Sequence, residues 1–340
     1  MTVPFLLAPM AELSHRPLRE LVEGFGGCDE YFTEMISSGA LIGGGQFEAF
    51  YLDTAPCPER VVFQLLGSDA DQLAQAVAFL DRLLCAGIDL NMGCSAPAIT
   101  RQGAGVRWMA DIDRAGELIR LVRARTSRRL SVKLRIGVED NCDYRLDFCR
   151  RLSDEGVERI TLHPRTAREK FRRGARWDYV ARLREGIAIP VAGNGDIVRA
   201  GELAVRAGQG ICDAVMVGRA AVRMPWIFAE ARVIEGRTGN GPEKAGNAGS
   251  GAASSGSTGP APGTVNLVET GLRFLELLAR HQPPEFHIGR ARRFFGYFCD
   301  NLKWAHYLKT ALNREQTLAG IERVWRAYFA EHPEEIRAGK

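Results

Sequence analysis

Eight short β-branched or aliphatic runs, nearly all closing on a polar or glycine-rich group, constrain this chain more than any other feature. They are Phe5–Met10, Tyr31–Ile36, Val61–Leu66, Ile88–Asn91, Leu130–Ile136, Arg159–His163, Pro190–Ala192 and Ala214–Val217. Helix-length amphipathic stretches at 69–86, 111–126, 143–155 and 199–208 separate several of them. This alternation is the pattern of β/α units around a parallel sheet. Eight units in about 220 residues fit a closed (β/α)8 TIM barrel better than an open doubly wound sheet. The groups at the run ends are Pro9-Met10, Gln64, Asn91 with Gly93 and Cys94, Lys133 with Arg135, His163 with Arg165, Asn194-Gly195-Asp196 and Gly218-Arg219. A barrel of this kind builds its active site at the C-terminal ends of its strands, so these residues are expected on one rim.

The length of 340 residues, with 46% hydrophobic and 25% charged side chains, excludes a disordered or collagen-like chain. It allows one large α/β domain and a smaller companion. No apolar run is long enough to span a bilayer, and no secretory segment opens the sequence, so a cytoplasmic protein without a membrane partner is expected. The eight cysteines (28, 57, 85, 94, 142, 149, 212 and 299) contain no C-x-x-C pair. Neither a metal site nor a disulfide framework is therefore expected, and most of these thiols should be reduced and buried. A net charge of +4 is too small to imply a polyanionic partner by itself.

Residues 236–264 are nearly all Gly, Ala, Ser and Pro, without an aromatic or large aliphatic side chain. Such a stretch cannot form a core, and it is read as a flexible linker between a barrel at 1–235 and a helical segment at 265–340. Within that segment, 265–281, 291–313 and 317–332 carry apolar residues at three- and four-residue spacing, which predicts three helices in a small bundle. From 286 to 326, eight basic residues (290, 292, 293, 303, 309, 314, 323 and 326) face three acidic ones (300, 315 and 322), interleaved with Phe294, Phe295, Tyr297, Trp304 and Tyr307. This reads equally as an RNA-binding face or as a solvated helix surface over an aromatic core.

Small residues at Gly193, Gly195 and Gly218 let backbone N–H groups approach a phosphate after the seventh and eighth strands, where barrels of this kind usually bind one, and Arg219 adds a charge. Lys133 and His163 lie on neighbouring strands, where they could stabilise a reduced, anionic ring, while Gln64 and Asn91 offer amides for orientation. A Schiff-base role is the competing chemistry for Lys133. Cys94 sits in IDLNMGCSAPAITRQGAG, a glycine- and proline-bearing loop that a core cysteine would not need. A thiol is ordinarily protonated near neutral pH and can act as a general acid there.

Taken together, LLAPMAELSHRPLRELV at 6–22, VVFQLLGSD at 61–69, GIDLNMGCSAPAITRQGAG at 87–105, SVKLRIG at 131–137, ITLHPRTAREKFRRGARWDYV at 160–180, IPVAGNGDI at 189–197 and DAVMVGRAAVRMPWIF at 213–228 resemble the tRNA-dihydrouridine synthases. The resemblance implies an FMN-holding barrel followed by a helical tRNA-binding domain, with NADPH or NADH as reductant. Pro9, Met10 and Ala11 would then lie along the flavin, Gln64 and Lys133 on the isoalloxazine, and His163 beside it. Asn194, Gly195, Asp196, Gly218 and Arg219 would hold the phosphate and ribityl end. Asn91 and Arg135 would orient the uracil. Cys94 matches the family's catalytic cysteine, which gives a proton to uracil C5 while reduced flavin gives a hydride to C6. A monomer acting on tRNA is expected. Two departures stand out: the run Cys94-Ser95-Ala96-Pro97-Ala98 is less basic than the corresponding loop usually is, and His163-Pro164-Arg165-Thr166 carries proline where glycine is usual. The competing readings are a flavin barrel acting on a free pyrimidine or unsaturated carbonyl, a catalytically idle RNA-binding relative and a Lys133-dependent aldolase.

Overall fold

The structure, a computed structural model, describes residues 2–169, 172–238 and 264–338. Eight parallel strands pair in sequence order and close on themselves: β1 (Phe5–Leu7), β2 (Glu30–Ser37), β3 (Val61–Leu66), β4 (Gly87–Met92), β5 (Leu130–Arg135), β6 (Arg159–His163), β7 (Val191–Asn194) and β8 (Ala214–Val217). The expected TIM barrel is present, with closure made where Leu7 pairs with Val217. The anticipated intervening helices occur as Ala70–Leu80, Ile112–Arg123, Cys142–Asp154 and Ala200–Gly208. Three of them start on a side-chain oxygen that accepts a first-turn amide: Asp69 from Gln72, Asp111 from Arg114 and Asn141 from Tyr144. β1 is shorter than the apolar run Phe5–Met10, because Pro9 has no N–H with which to continue the ladder. Beyond it the Met10 amide donates to Ser14 Oγ at 2.9 Å.

Strand residues two apart face the same way, so alternate positions fill the barrel interior. Leu6, Ala8, Phe32, Val62, Ala192, Ala214 and Met216 form one buried apolar cluster drawn from β1, β2, β3, β7 and β8, with Ala8 just past the end of β1. The other strands supply polar side chains, Asp89 and Asn91 from β4, Ser131 and Lys133 from β5, and Thr161 and His163 from β6, and β3 and β7 add Gln64 and Asn194 two residues beyond Val62 and Ala192. The interior thus has an apolar sector and a polar one. At the N-terminal ends of the strands, Glu30 receives Arg129 at 2.7 and 2.9 Å and Arg159 at 2.7 Å, joining β2 to β6 and to the residue preceding β5.

By compactness the chain divides into two units. The first comprises Met1–Arg19, Asp29–Ile197 and Arg206–Gly218 and contains all eight strands; the second comprises Glu20–Cys28, Val198–Val205 and Arg219–Lys340. The helix Ile227–Thr238 runs into the first residues of the Gly/Ala/Ser/Pro-rich stretch 236–264, and 239–263 of that proposed linker lie outside the described residues. The second unit has helices Leu267–His281, Pro284–Phe298, Ala305–Arg314 and Leu318–Glu331.

The single helix expected over 291–313 is therefore two. Asn301 Nδ2 donates to the carbonyls of Phe298 and Arg223, at 2.9 and 2.6 Å, and Leu302 is extended. This side chain competes for the carbonyls that end the first helix. Phe274 and Phe294 stack at 3.7 Å, and Phe295 meets Trp325 at 4.8 Å. Phe294 and Phe295 are thus core residues, whereas Trp304 and Tyr307 are 50% and 69% exposed. Among the described residues no helix is long and apolar enough to cross a membrane.

Candidate active site

The polar sector opens onto the C-terminal rim through a chain of side-chain hydrogen bonds. Ser131 Oγ donates to Asp89 Oδ1 at 2.6 Å, and Gln64 Nε2 donates to Asp89 Oδ2 at 2.7 Å. Asn91 Nδ2 donates to Gln64 Oε1 at 2.9 Å, and Asn91 Oδ1 accepts the amides of Gly93 at 3.2 Å and Cys94 at 2.9 Å. β4 supplies both Asp89 and Asn91 because they are two residues apart, and the pairing of Gln64 with Asp89 sets β3 beside them. Asp89 is fully buried, which raises its carboxyl above the ordinary value, while the donors Ser131 and Gln64 oppose that rise.

The Asx-type turn made by Asn91 delivers Cys94, which is half-buried at the rim. The carbonyl of Cys94 accepts the Val106 amide at 3.0 Å, closing the loop 94–106 on itself. Gly105, with φ +61°, passes so close to that carbonyl that a Cβ would strike it. Lys133 pairs in register with Asn91 on one side and Thr161 on the other. Its ammonium makes no hydrogen bond or ion pair among the described residues. Burial pulls Lys133 from 10.5 down to about 8, helped by the charge of Arg135 and opposed by Asp89 and Cys94. Arg135 donates through Nε to the Gly93 carbonyl at 3.1 Å and through Nη1 to that of Thr166 at 3.4 Å. Burial and then Arg165 lower its pKa as well.

Just past the next strand, Arg165 Nη1 lies 3.2 Å from His163 Nε2. A guanidinium only donates, so Nε2 accepts and the neutral ring carries its proton on Nδ1. Arg165 is itself gripped by both oxygens of Asp196, at 2.6 and 2.7 Å, and Asp196 also accepts the Ala175 amide at 2.6 Å. The Asp196 carboxylate is thus engaged with the loop after β6, and its backbone, at φ +52°, forms the turn after β7. Gly195, at φ +130°, is tight for a Cβ, which would sit 3.0 Å from Ala175 Cβ and 3.1 Å from the His163 ring. Asn194 Nδ2 donates to the Met216 carbonyl at 2.8 Å, holding β7 to β8. A Cβ on Gly218 would meet Ala8 and the Met10 sulfur no closer than 3.6 Å, so Met10 and the end of β8 share this part of the rim. Pro9 and Ala11 flank Met10 on the segment leaving β1. Arg219 opens the short helix Arg219–Arg223 in the second unit.

The sequence reading gives no part to Asp89 or Thr161, and it places Arg165 on the rim without a role. Asp89 carried a signal, being an acid inside an apolar strand two residues before Asn91, and a buried acid needs partners. Thr161 is fully buried and its hydroxyl finds no partner among the described residues. Basic side chains also gather on the rim, in the loop after β6: Arg168 and Arg173 are 73% and 77% exposed and make long ion pairs to Glu139 and Glu169 of 3.4 and 3.7 Å. Arg172 is exposed beside them.

Comparison with known proteins centres on the same barrel. The family model described as dihydrouridine synthase (Dus) matches residues 6–248. The chain is 31% identical over 240 residues to a tRNA-dihydrouridine(16) synthase of Ralstonia nicotianae, covering 67% of this chain and 72% of that protein. A protein of the same name from Cupriavidus necator is 32% identical over 237 residues, covering 66% and 72%. A probable tRNA-dihydrouridine synthase of Mycobacterium leprae is 30% identical over 299 residues, covering 86% and 73%. Among solved structures, a complex of 2-naphthoyl-CoA reductase superposes with a TM-score of 0.51 at 10% identity, covering 68% of this chain and 50% of that one. That likeness concerns the fold alone.

Proposed function

Because this chain belongs to the dihydrouridine synthase family, we propose that it reduces specific uridines in tRNA to dihydrouridine, using FMN with NADPH or NADH as the electron source. The observation that carries this reading is the meeting of Cys94 with an unpaired, half-buried Lys133 cation at one barrel rim. A cation without an anionic partner fits an anionic ring, and the tight turn at Gly195, with no side chain at Gly218, fits the phosphate-bearing end of FMN. Bound there, FMN would supply the hydride that saturates the uracil 5,6 double bond.

The chain's own residues do the rest. Lys133 and Gln64 meet the isoalloxazine, Pro9, Met10 and Ala11 line it, and His163 lies beside it as a neutral ring. Asn194, Gly195 and Gly218 receive the ribityl and phosphate end. Asp196 contributes its main chain there, since its carboxylate holds Arg165. The sequence reading adds Arg219 to this set. Asn91 and Arg135 orient the uracil, and Cys94 Sγ gives its proton to C5. The exposed Arg168, Arg172 and Arg173 meet the phosphate backbone around a uridine drawn out of its stack.

The test is position-mapped mass spectrometry of unmodified tRNA after incubation with protein, FMN and NADPH. A gain of about two mass units at one uridine, lost in Cys94→Ala while flavin reduction by NADPH persists, is the expected outcome. No gain on any tRNA, from protein that still binds and reduces FMN, would redirect the search to a small unsaturated substrate.

A further inference from the structure

We propose that Asp89 is a positioning residue for Cys94, acting through Gln64 and Asn91 by fixing which way round both amides lie. The inference rests on the proposed function for its catalytic meaning, but its geometry stands independently. Both carboxyl oxygens of Asp89 act as acceptors in the structure. With Asp89 receiving Ser131 Oγ and Gln64 Nε2 at 2.6 and 2.7 Å, Gln64 must turn its nitrogen toward β4 and leave Oε1 for Asn91. Asn91 must then give its nitrogen to Gln64, which leaves Oδ1 as the acceptor for the Gly93 and Cys94 amides. Were either amide reversed, an Asn91 N–H would confront the Cys94 N–H and the turn that presents the thiol would lose its anchor.

Every member is buried: Gln64 and Asp89 at 0% exposure and Asn91 at 9%. Water is therefore a poor substitute for a lost partner, and donor facing donor in such a place is costly. Asp89 touches none of the reacting atoms in this arrangement. Its effect reaches Cys94 through two intervening side chains and one backbone amide.

The discriminating experiment exchanges the acceptor. Asp89→Asn removes the acceptor-only end and lets the chain of amides run either way. The double variant D89N/Q64E restores one direction, because a carboxylate at position 64 can only accept, from the introduced amide at position 89 on one side and from Asn91 on the other. Hydrogen exchange of the Gly93 and Cys94 amides, followed by NMR on protein without added FMN, reads the anchor directly and does not depend on turnover. The expected result is exchange at least about tenfold faster in Asp89→Asn and a return to within about threefold of wild type in the double variant. Asp89→Asn exchanging at the wild-type rate, or a double variant as fast as the single one, would overturn the proposal. A measurement on the wild type stands should Asp89→Asn not fold. The side-chain NH2 protons of Gln64 and Asn91 should be protected, and exchange as fast as that of solvent-exposed amides would equally overturn it. Failure of the tRNA assay in wild type, with these protections intact, would count against the enzymatic reading and leave the positioning chain in place.

Discussion

Lys133 shows how a single residue ties stability to the proposed chemistry. Its pKa lies below the ordinary value in the folded chain, so the unfolded chain binds the extra proton between pH 8 and 10.5. The cost of the charged side chain is therefore fully present below about pH 8 and is relieved as pH rises toward 10.5. The gap amounts to at most roughly 3–4 kcal/mol. Lys133→Met should stabilise the FMN-free protein at pH 7 by up to that amount in denaturant unfolding, while lowering the flavin retained after gel filtration. Equal stability of the two proteins would refute the strain assigned to this ammonium. Lys133 and His163 were legible in the sequence because each breaks an apolar run towards a strand end, and Cys94 because it sits in a glycine- and proline-bearing loop that a core cysteine would not need. The parts played by Asp89 and Arg165 were not, since they depend on which side chains register brings opposite them, and a lone strand does not state its neighbours.

At the scale of elements, strand order and rim followed from period and punctuation, and the misreadings followed from side chains that compete with the backbone. Pro9 cut β1 short, and Asn301 broke an apolar pattern that continues without interruption through 291–313. The loop after β6 makes a further element-scale point. The segment after Cys94 is sparse in basic residues, and exposed arginines stand on the loop after β6 instead, in ion pairs of the exposed kind that contribute little and exchange readily. Arg172→Ala with Arg173→Ala should weaken tRNA binding about tenfold near 0.1 M salt and flatten the dependence of log affinity on log salt by roughly one to two contacts. Flavin content should not change. An unaltered salt slope, measured by filter binding, would remove this loop from the RNA interface.

For the whole molecule, the barrel separates the work of its two ends. Glu30 holds Arg129 and Arg159 at the N-terminal ends of the strands, and the proposed chemistry lies at the opposite rim. Burial alone would raise the Glu30 carboxyl, but Arg159 and then Arg129 outweigh it and lower its pKa below 4.5. Its contribution is therefore present above pH 4.5 and is lost as pH falls through the depressed value in the folded chain. Glu30→Gln should cost roughly 2–4 kcal/mol at pH 7 by leaving two guanidinium groups without their carboxylate, and the difference from wild type should shrink in acid. Thermal unfolding across pH checks this, and a difference that stays constant down to acid pH would show that the carboxylate charge is not its source. The divided interior has one more consequence. Eight strands around an axis look alike under rotation, but β3 to β7 carry Gln64, Asn91, Lys133, His163 and Asn194 near their C-terminal ends. Ala8, just past β1, and Met216 of β8 are apolar, so a flat ring across the mouth would meet different chemistry on its two edges. With the thiol anchored at the end of β4, a base lying there would turn one face to Cys94, so under the proposed function the proton would enter from that face alone.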